Sequence, residues 1–383
     1  MTGSLISRFA IDQGSIVAGP VQASPFIPGS SNVFPKFKET ISEAAWELWY
    51  FDGVSEVNKA AVVIGVTRNA EGRKQGGFKV QVFAIWPDET TWHRDLFFPE
   101  SVVSVTAEGD TLGIWRDPSA GCSISFSFSV QANSSRAELI FDVPGVVEGT
   151  MGLISLPGDT GIDTRAELGP SVWYVRPIGR AAMTADMTFS SSESKSSRHL
   201  SLGPQDGLAS GGMDRVWSAL SWPQIMTESY YLRARVGPYS MQLMRILSSV
   251  ETGKQPYSVA RLYREGKLIC AAQKVLGPGR QNELLDEDSV VVEKVNANRS
   301  TDGLTGAYRD QNTGYLVEFV RAADGDRWRF HVRHDRILWN MSTSAPGPNG
   351  TGNTGFIESV VGGCNGESFQ GVGTGGQCEL TQQ

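Results

Sequence analysis

Histidine is scarce in this chain, with four in 383 residues: His93, His199, His331 and His334. His331 and His334 are three apart, and on a strand an odd spacing sends them to opposite faces, so they make no two-histidine metal site. No HExxH motif and no paired Cys/His cluster occurs elsewhere. With so few imidazoles and no GxSxG elbow, a Ser-His-Asp triad is excluded as well. The four cysteines, Cys122, Cys270, Cys364 and Cys378, are widely scattered without a CxxC pair. In a chain of this length that pattern reads as reduced thiols, not a disulfide framework. Positive charge is also short: 34 Lys+Arg stand against 41 Asp+Glu, a formal net charge of −7. A protein that neutralises many phosphates needs the opposite balance, so nucleic acid and anionic membrane surfaces are disfavoured as partners.

Long apolar runs are missing too. The longest, such as Ala60–Val66, are about seven residues, where a membrane-spanning helix needs roughly 20. The N-terminal residues MTGSLISRFAIDQGSIVAG show no charged segment followed by an apolar core, so no secretory signal is expected and the cytoplasm is the expected location. No GxxxxGK[ST] is present, and no GxGxxG sits between a strand and a helix. The glycine-rich Gly371–Gly376 reads as a β-turn.

What is present is alternation. Glycine is abundant, at 43 residues, and turn signals recur at short intervals. In Cys122–Val130 (CSISFSFSV), Ile124, Phe126, Phe128 and Val130 take one face and serines the other, a half-buried antiparallel strand. In Gly77–Trp86 (GFKVQVFAIW), Phe78, Val80, Val82, Ala84 and Trp86 share a face. The other face carries Lys79, Gln81, Phe83 and Ile85, and its far end is apolar enough to be covered. Hairpins are expected around Gly237-Pro238, at Glu265-Gly266 and at Asp310–Gly314, and a strand over Asp326–Asn340. Helical periodicity is scarce, with Pro35–Leu48 and Gln281–Val295 its best examples. The chain reads as all-β, of the sandwich or barrel kind. Ser190–Gly212 is rich in serine and glycine and reads as the linker between two domains, 1–212 and 213–383. Ser344–Gly355 reads as a long surface loop.

Acid–base chemistry is confined to one segment, Trp46–Asp52 (WELWYFD). On a strand, Glu47 points away from Asp52, which argues against a glycosidase-like carboxylate pair, whereas Tyr50 and Asp52 converge. Aromatic residues are the remaining clue. There are ten Trp, and Trp217, Trp222, Tyr230 and Tyr231 fall within Gly211–Tyr231. A tryptophan N–H is a good donor in an apolar cavity. The residues alone thus describe a two-domain β protein with an aromatic, weakly polar cavity suited to an apolar small molecule.

Several long words go further: WELWYFDG (Trp46–Gly53), GGFKVQVFAIW (Gly76–Trp86), LGPSVWYVRPIGRA (Leu168–Ala181), GGMDRVWSALSWPQIMTESYYLRARVGPYSMQLMRI (Gly211–Ile246), ARLYREG (Ala260–Gly266) and TSAPGPNGTGNTGFIE (Thr343–Glu358). Together they resemble the fungal lipocalin-like Diels–Alderases, or decalin synthases, of the equisetin type, over roughly Phe26 to Leu380. The resemblance implies an N-terminal β-sandwich and a C-terminal lipocalin-like β-barrel, with a substrate pocket between them. It implies an isomerase-class enzyme of secondary metabolism that uses no cofactor or metal. Its reaction would be an intramolecular [4+2] cycloaddition of a linear polyenoyl tetramic acid, released by a polyketide synthase–peptide synthetase hybrid, to a trans-decalin.

Carried over by position, the resemblance places Tyr50 and Asp52 at the pocket mouth. Related enzymes of opposite facial preference have an acidic residue in place of Tyr50, a polar one in place of Phe83 and Lys in place of Asn353. Thr67 lies at another variable position. Trp222, in SWPQ, resembles the family's indole donor to the tetramate oxygens, and Asn353 would hold the same head group. Trp339 would wall the polyene, and Gln81, Phe83, Tyr231 and Met244 would complete the substrate contacts. Two other functions suit the same residues. One is a non-catalytic lipocalin-like carrier. The other is a carotenoid-hydratase-like enzyme, with Asp52 or Glu47 as its acid.

Overall fold

A computed structural model describes residues 5–11, 14–120, 124–158, 165–191, 196–204, 208–277, 286–296, 303–345 and 349–381. Cys122 lies outside the described residues. The chain divides into two compact units, Met1–Glu167 with Ser171–Ser221, and Leu168–Pro170 with Trp222–Gln383.

Unit 1 begins with β1 (Leu5–Ala10), β2 (Ile16–Val17), β3 (Ile41–Ser42), β4 (Trp46–Ser55), β5 (Ala61–Asn69) and β6 (Phe78–Ile85). It continues with β7 (Thr91–Phe98), β8 (Glu100–Val105), β9 (Thr111–Arg116), β10 (Ser125–Val130), β11 (Arg136–Val143) and β12 (Val147–Ser155). After β13 (Glu167–Gly169) come β14 (Val172–Ser191), β15 (Ser196–Leu202) and β16 (Ala209–Ser218). One antiparallel sheet follows the path β1-β8-β9-β10-β11-β12-β14-β16-β4-β5-β6-β7. It folds over so that its own faces pack as a sandwich: Trp49 of β4 meets Trp115 of β9 and Phe128 of β10, each at 5.7 Å between ring centres. The alternation read from the sequence decides which residues line this core. Phe78, Val80, Val82 and Ala84 line it from β6, and Phe126, Phe128 and Val130 from β10. Ile124, expected on the same face, precedes β10 and is exposed. In β14 the ladder is irregular around Ile178, beside Pro177, which has no N–H to give.

Unit 2 opens on a four-residue helix, Trp222–Ile225, and β17 (Met226–Val236), β18 (Tyr239–Ser248), β19 (Pro256–Arg264), β20 (Lys267–Ala272) and β21 (Lys274–Val275). Then follow β22 (Ser289–Asn296), β23 (Asn312–Val320), β24 (Arg327–Ser342), β25 (Gly352–Cys364) and β26 (Phe369–Glu379). Their order is β20-β19-β18-β17-β26-β25-β24-β23-β22-β21. The two ends of that path are consecutive in the chain, so the sheet curls into a nearly closed barrel. Ala271 N–H donates to Asp288 Oδ2 at 2.9 Å across the seam. The expected turn at Glu265-Gly266 joins β19 to β20, with positive φ at both residues, as a two-residue hairpin of right-handed twist requires.

Four expectations are corrected. Ser190–Gly212 is not a linker: among its described residues are the end of β14, all of β15 and the start of β16, and a 212/213 division would cut β16. Gly371–Gly376 is not a turn but the middle of β26. A Cβ at Gly371 would lie 1.9 Å from the Arg235 carbonyl oxygen and one at Gly373 2.4 Å from that of Arg233, so glycine serves close strand approach. Asp310–Gly314 makes no hairpin, because β23 starts at Asn312 and pairs with β22 and β24. The loop expected over Ser344–Gly355 ends where β25 starts, at Gly352.

Candidate functional site

In unit 1, alternation sorts the candidate residues onto one face. Trp49 and Phe51 of β4, Val62, Ile64 and Val66 of β5, and Val80 and Val82 of β6 point into the sandwich core. Tyr50, Asp52, Thr67, Gln81 and Phe83 therefore share the opposite face. The register arranges them in cross-strand rows: Tyr50 opposite Gly65 opposite Gln81 opposite Asp95, and Asp52 opposite Val63 opposite Phe83 opposite His93. Asp52 and Phe83 are buried, and Tyr50, Thr67 and Gln81 half-buried. Gly65 leaves the space between Tyr50 and Gln81 without a side chain. The edge strand β7 supports this face. The His93 ring stacks on Phe83 at 4.5 Å, and Gln81 Nε2 donates to Asp95 Oδ1 at 3.0 Å. Burial raises the Asp95 carboxyl, but hydrogen bonds from His93 and Gln81 outweigh it and hold it below the usual range.

Glu47 points the other way, as its position in the alternation requires. It lies fully buried against Arg68 Nη1 (3.1 Å) and Arg215, and accepts the Lys36 backbone N–H at 2.8 Å. Lys36 Nζ sits 4.3 Å above the Trp217 ring. Burial and the Arg215 cation pull its amine down to about 6, against the opposing effect of Glu47. Sequence reasoning missed this cluster. Glu47 and Arg215 lie 168 residues apart, and periodicity does not encode which charged residues meet across strands.

In unit 2 the barrel interior is filled. Tyr230, Leu232, Tyr315, Phe319, Trp328 and Phe330 belong to its core, and the Tyr230 and Tyr315 rings stack at 3.6 Å. A buried polar set lies within it, also unforeseen. His334 Nδ1 is 2.9 Å from Glu358 Oε2, and Asn312 Nδ2 is 3.2 Å from His334 Nε2 while donating to the Gly314 carbonyl. His331, by contrast, is exposed, so the two histidines do face opposite ways.

The candidate residues of unit 2 lie on the outside of this barrel. Tyr231 lies between the core residues Tyr230 and Leu232, and Met244 follows the core residue Leu243. The register makes one row: Trp339, Gly355, Gly376, Tyr231, Met244. Asn353 sits two residues before Gly355 and so shares its face. Trp339 Nε1 donates to Asn353 Oδ1 at 3.0 Å. Trp222 is half-buried at the start of the short helix. The fold thus brings Trp339, Asn353, Tyr231 and Met244 onto one surface. Among the described residues, no three His, Cys, Asp or Glu side chains are grouped to hold a metal ion, and no helix is long and apolar enough to cross a membrane.

A filled β-barrel and a β-sandwich, each presenting aromatic and amide groups on a sheet face, define a two-unit, all-β class of protein. Comparison with known proteins places the chain within that class. A model of the Diels-Alderase-like family matches residues 3–381, and the chain belongs to that family. It is 58% identical over its whole length, and the whole of the relative, to the Diels-Alderase fsa2 of Fusarium sp. strain FN080326. It is 57% identical, again over both full chains, to the Diels-Alderase fsa2 of Fusarium heterosporum. The crystal structure of CghA with Sch210972 superimposes with a TM-score of 0.91 at 35% identity, covering 99% of this chain and 100% of that one. The crystal structure of kievitone hydratase from Nectria haematococca, at 10% identity and a TM-score of 0.54, shares the fold alone.

Proposed function

We propose that this Diels–Alderase-family enzyme is a cytoplasmic decalin synthase that closes a linear polyenoyl tetramic acid to a trans-decalin by an intramolecular [4+2] cycloaddition. The reading rests above all on the 58% identity, over both full chains, to a named Diels-Alderase. The chemistry suits the residues. A pericyclic step needs no nucleophile and moves no proton. It needs one folded conformer of a flexible polyene, with the reacting termini about 3–3.5 Å apart, and holding such a conformer supplies up to roughly 7–11 kcal/mol. Trp222 and Asn353 serve as donors to the oxygens of the head group, withdrawing electron density from the dienophile; one such bond in a dry site contributes about 1–3 kcal/mol. Trp339, Tyr231 and Met244 wall the polyene. Tyr50, Asp52, Thr67, Gln81 and Phe83 set which face reacts.

Neither alternative is favoured. A lipocalin-like carrier needs an empty lumen, and this barrel's interior is packed with side chains. A hydratase needs an acid within reach of an alkene; of its two candidates, Glu47 is buried between two arginines, and Asp52 is what the deuterium measurement below decides.

The test is to incubate purified protein with a linear polyenoyl tetramic acid in deuterated buffer, before and after dialysis against EDTA. One decalin diastereomer, free of solvent deuterium and formed at the same rate after dialysis, is expected. Deuterium in the new ring carbons, or a tenfold loss of rate restored by added metal, would sink the proposal.

A further inference from the structure

The indole of Trp339 lies flat against its neighbouring strand because a glycine makes room for it. A Cβ at Gly355, the cross-strand partner of Trp339, would lie 2.3 Å from Trp339 Cε2 and 2.4 Å from Cδ2 and Cε3. A Cβ at Gly376, next in the row, would lie 3.7 Å from Cζ2, an ordinary contact, so the seat depends on Gly355. The ladder on either side of Ile337 is irregular, with register shifts between His334 and Arg336 and between Ile337 and Trp339, so the placement of this ring is set locally. That placement leaves Nε1 3.0 Å from Asn353 Oδ1. An indole N–H only donates, so the atom of Asn353 that faces it is the carbonyl oxygen. A carboxamide can present oxygen or nitrogen to a ligand by turning over. Here the turn is fixed, and the group Asn353 has left to offer is its NH2.

We infer that Trp339 is a positioning residue: its N–H, on a ring seated by Gly355, holds the Asn353 carboxamide so that Nδ2 donates to an acceptor oxygen of the substrate head group. This rests on the functional reading above and adds to it the reason for the head group's chemistry. An enolate or carbonyl oxygen is accepted, and a head group offering only donors at that point, such as an ammonium, meets another donor and is rejected.

Two measurements test it. The first needs no substrate. In 15N-labelled protein, the indole resonance that disappears in Trp339→Phe should show hydrogen exchange slowed at least tenfold relative to an exposed indole. Asn353→Ala should abolish that protection. An unprotected Trp339 N–H, or one whose protection survives Asn353→Ala, overturns the inference. The second is a double-mutant cycle on turnover of the linear polyenoyl tetramic acid. Trp339→Phe keeps the ring and loses the donor; it should raise KM about tenfold with a smaller effect on kcat. Gly355→Ala, which drives the ring from its seat, should match it. In the Asn353→Ala background, Trp339→Phe should cost less than twofold more. The same tenfold loss in both backgrounds would make Trp339 a wall acting independently of Asn353, and overturn the inference. If the wild-type protein leaves the tetramic acid unchanged, the functional reading falls instead, and the exchange measurement still decides whether Trp339 holds Asn353.

Discussion

Donor placement is the residue-scale question, and the two proposed donors differ in how they are held. Asn353 stands on β25 and is fixed by the Trp339 N–H, and Trp222 stands at the first position of a four-residue helix, half-buried, where the chain enters unit 2. Trp222→Phe keeps the aromatic volume and deletes the donor, and Asn353→Ala deletes the amide. Each should lower kcat/KM on the tetramic acid by roughly tenfold to a hundredfold, the equivalent of about 1–3 kcal/mol. Both proteins should remain folded, because neither change opens a large cavity in either core. Near-normal kinetics in both would show that the head group is held elsewhere. The WELWYFD and GFKVQVFAIW words gave the facing of Tyr50, Asp52, Gln81 and Phe83 directly, because a period of two fixes which neighbours share a face. The partners of those residues were not legible. His93 on Phe83 and Asp95 on Gln81 follow from the register of β6 against β7, which alternation leaves open by any even number of residues.

At the scale of the element, the unit 1 face formed by β4, β5 and β6 combines a large side chain and an empty position. Phe83 is 3% exposed and stacked on His93, while Gly65 leaves its row open. If this face selects the folded polyene, the two should act in opposite senses. Phe83→Ala removes an aromatic wall and should release minor diastereomers while substrate is still consumed, since about 2.7 kcal/mol between competing transition states is all that a hundredfold preference requires. Gly65→Ala adds volume instead. Its Cβ would meet Leu48 Cδ1 at 3.8 Å and Gln81 at 3.9 Å, ordinary contacts, so the substitution should be tolerated and slow turnover without releasing minor products. A buried Phe→Ala change can cost about 3–5 kcal/mol of stability, so the product ratio must be read in soluble, folded protein. A single unchanged diastereomer from Phe83→Ala would assign this ring to packing and move facial control to Tyr50, Thr67 and Trp339. Element existence was legible wherever polar and apolar residues alternated. It was not legible in Gly371–Gly376 or Ser190–Gly212. Glycine marks close strand approach as well as turns, and serine suits an exposed strand face as well as a linker.

At the scale of the whole molecule, the all-β architecture followed from turn spacing and alternation, but the division between the units did not, because composition changes nowhere near Ser221. Nor did the charge buried in unit 1. Lys36, Arg68 and Arg215 are buried around the single carboxylate of Glu47, with Lys36 Nζ donating to Asn32 Oδ1 at 2.8 Å and to the Pro25 carbonyl at 3.1 Å. Burial lowers both arginines to about 10, which leaves them charged near neutrality, while Lys36 falls to about 6. The unfolded chain therefore keeps the Lys36 proton up to about 10.5 and the folded chain only to about 6. Across that window the unfolded state binds more protons, so this group makes stability rise with pH, by up to about 1.4 kcal/mol per unit. On acidification from pH 8 its contribution should fall, and it should level off below about pH 6, where both states are protonated. Lys36→Met should remove this slope. It also strips Asn32 Oδ1 and the Pro25 carbonyl of a donor, at a pH-independent cost of about 1–3 kcal/mol. The variant's offset is thus uninformative, and the comparison must be of slopes. Between pH 6 and 8 the wild type's unfolding midpoint should drop relative to the variant's as pH falls, because only the wild type loses stability through this amine. Parallel curves would show that Lys36 keeps its proton in the folded protein, held by Glu47 against both arginines.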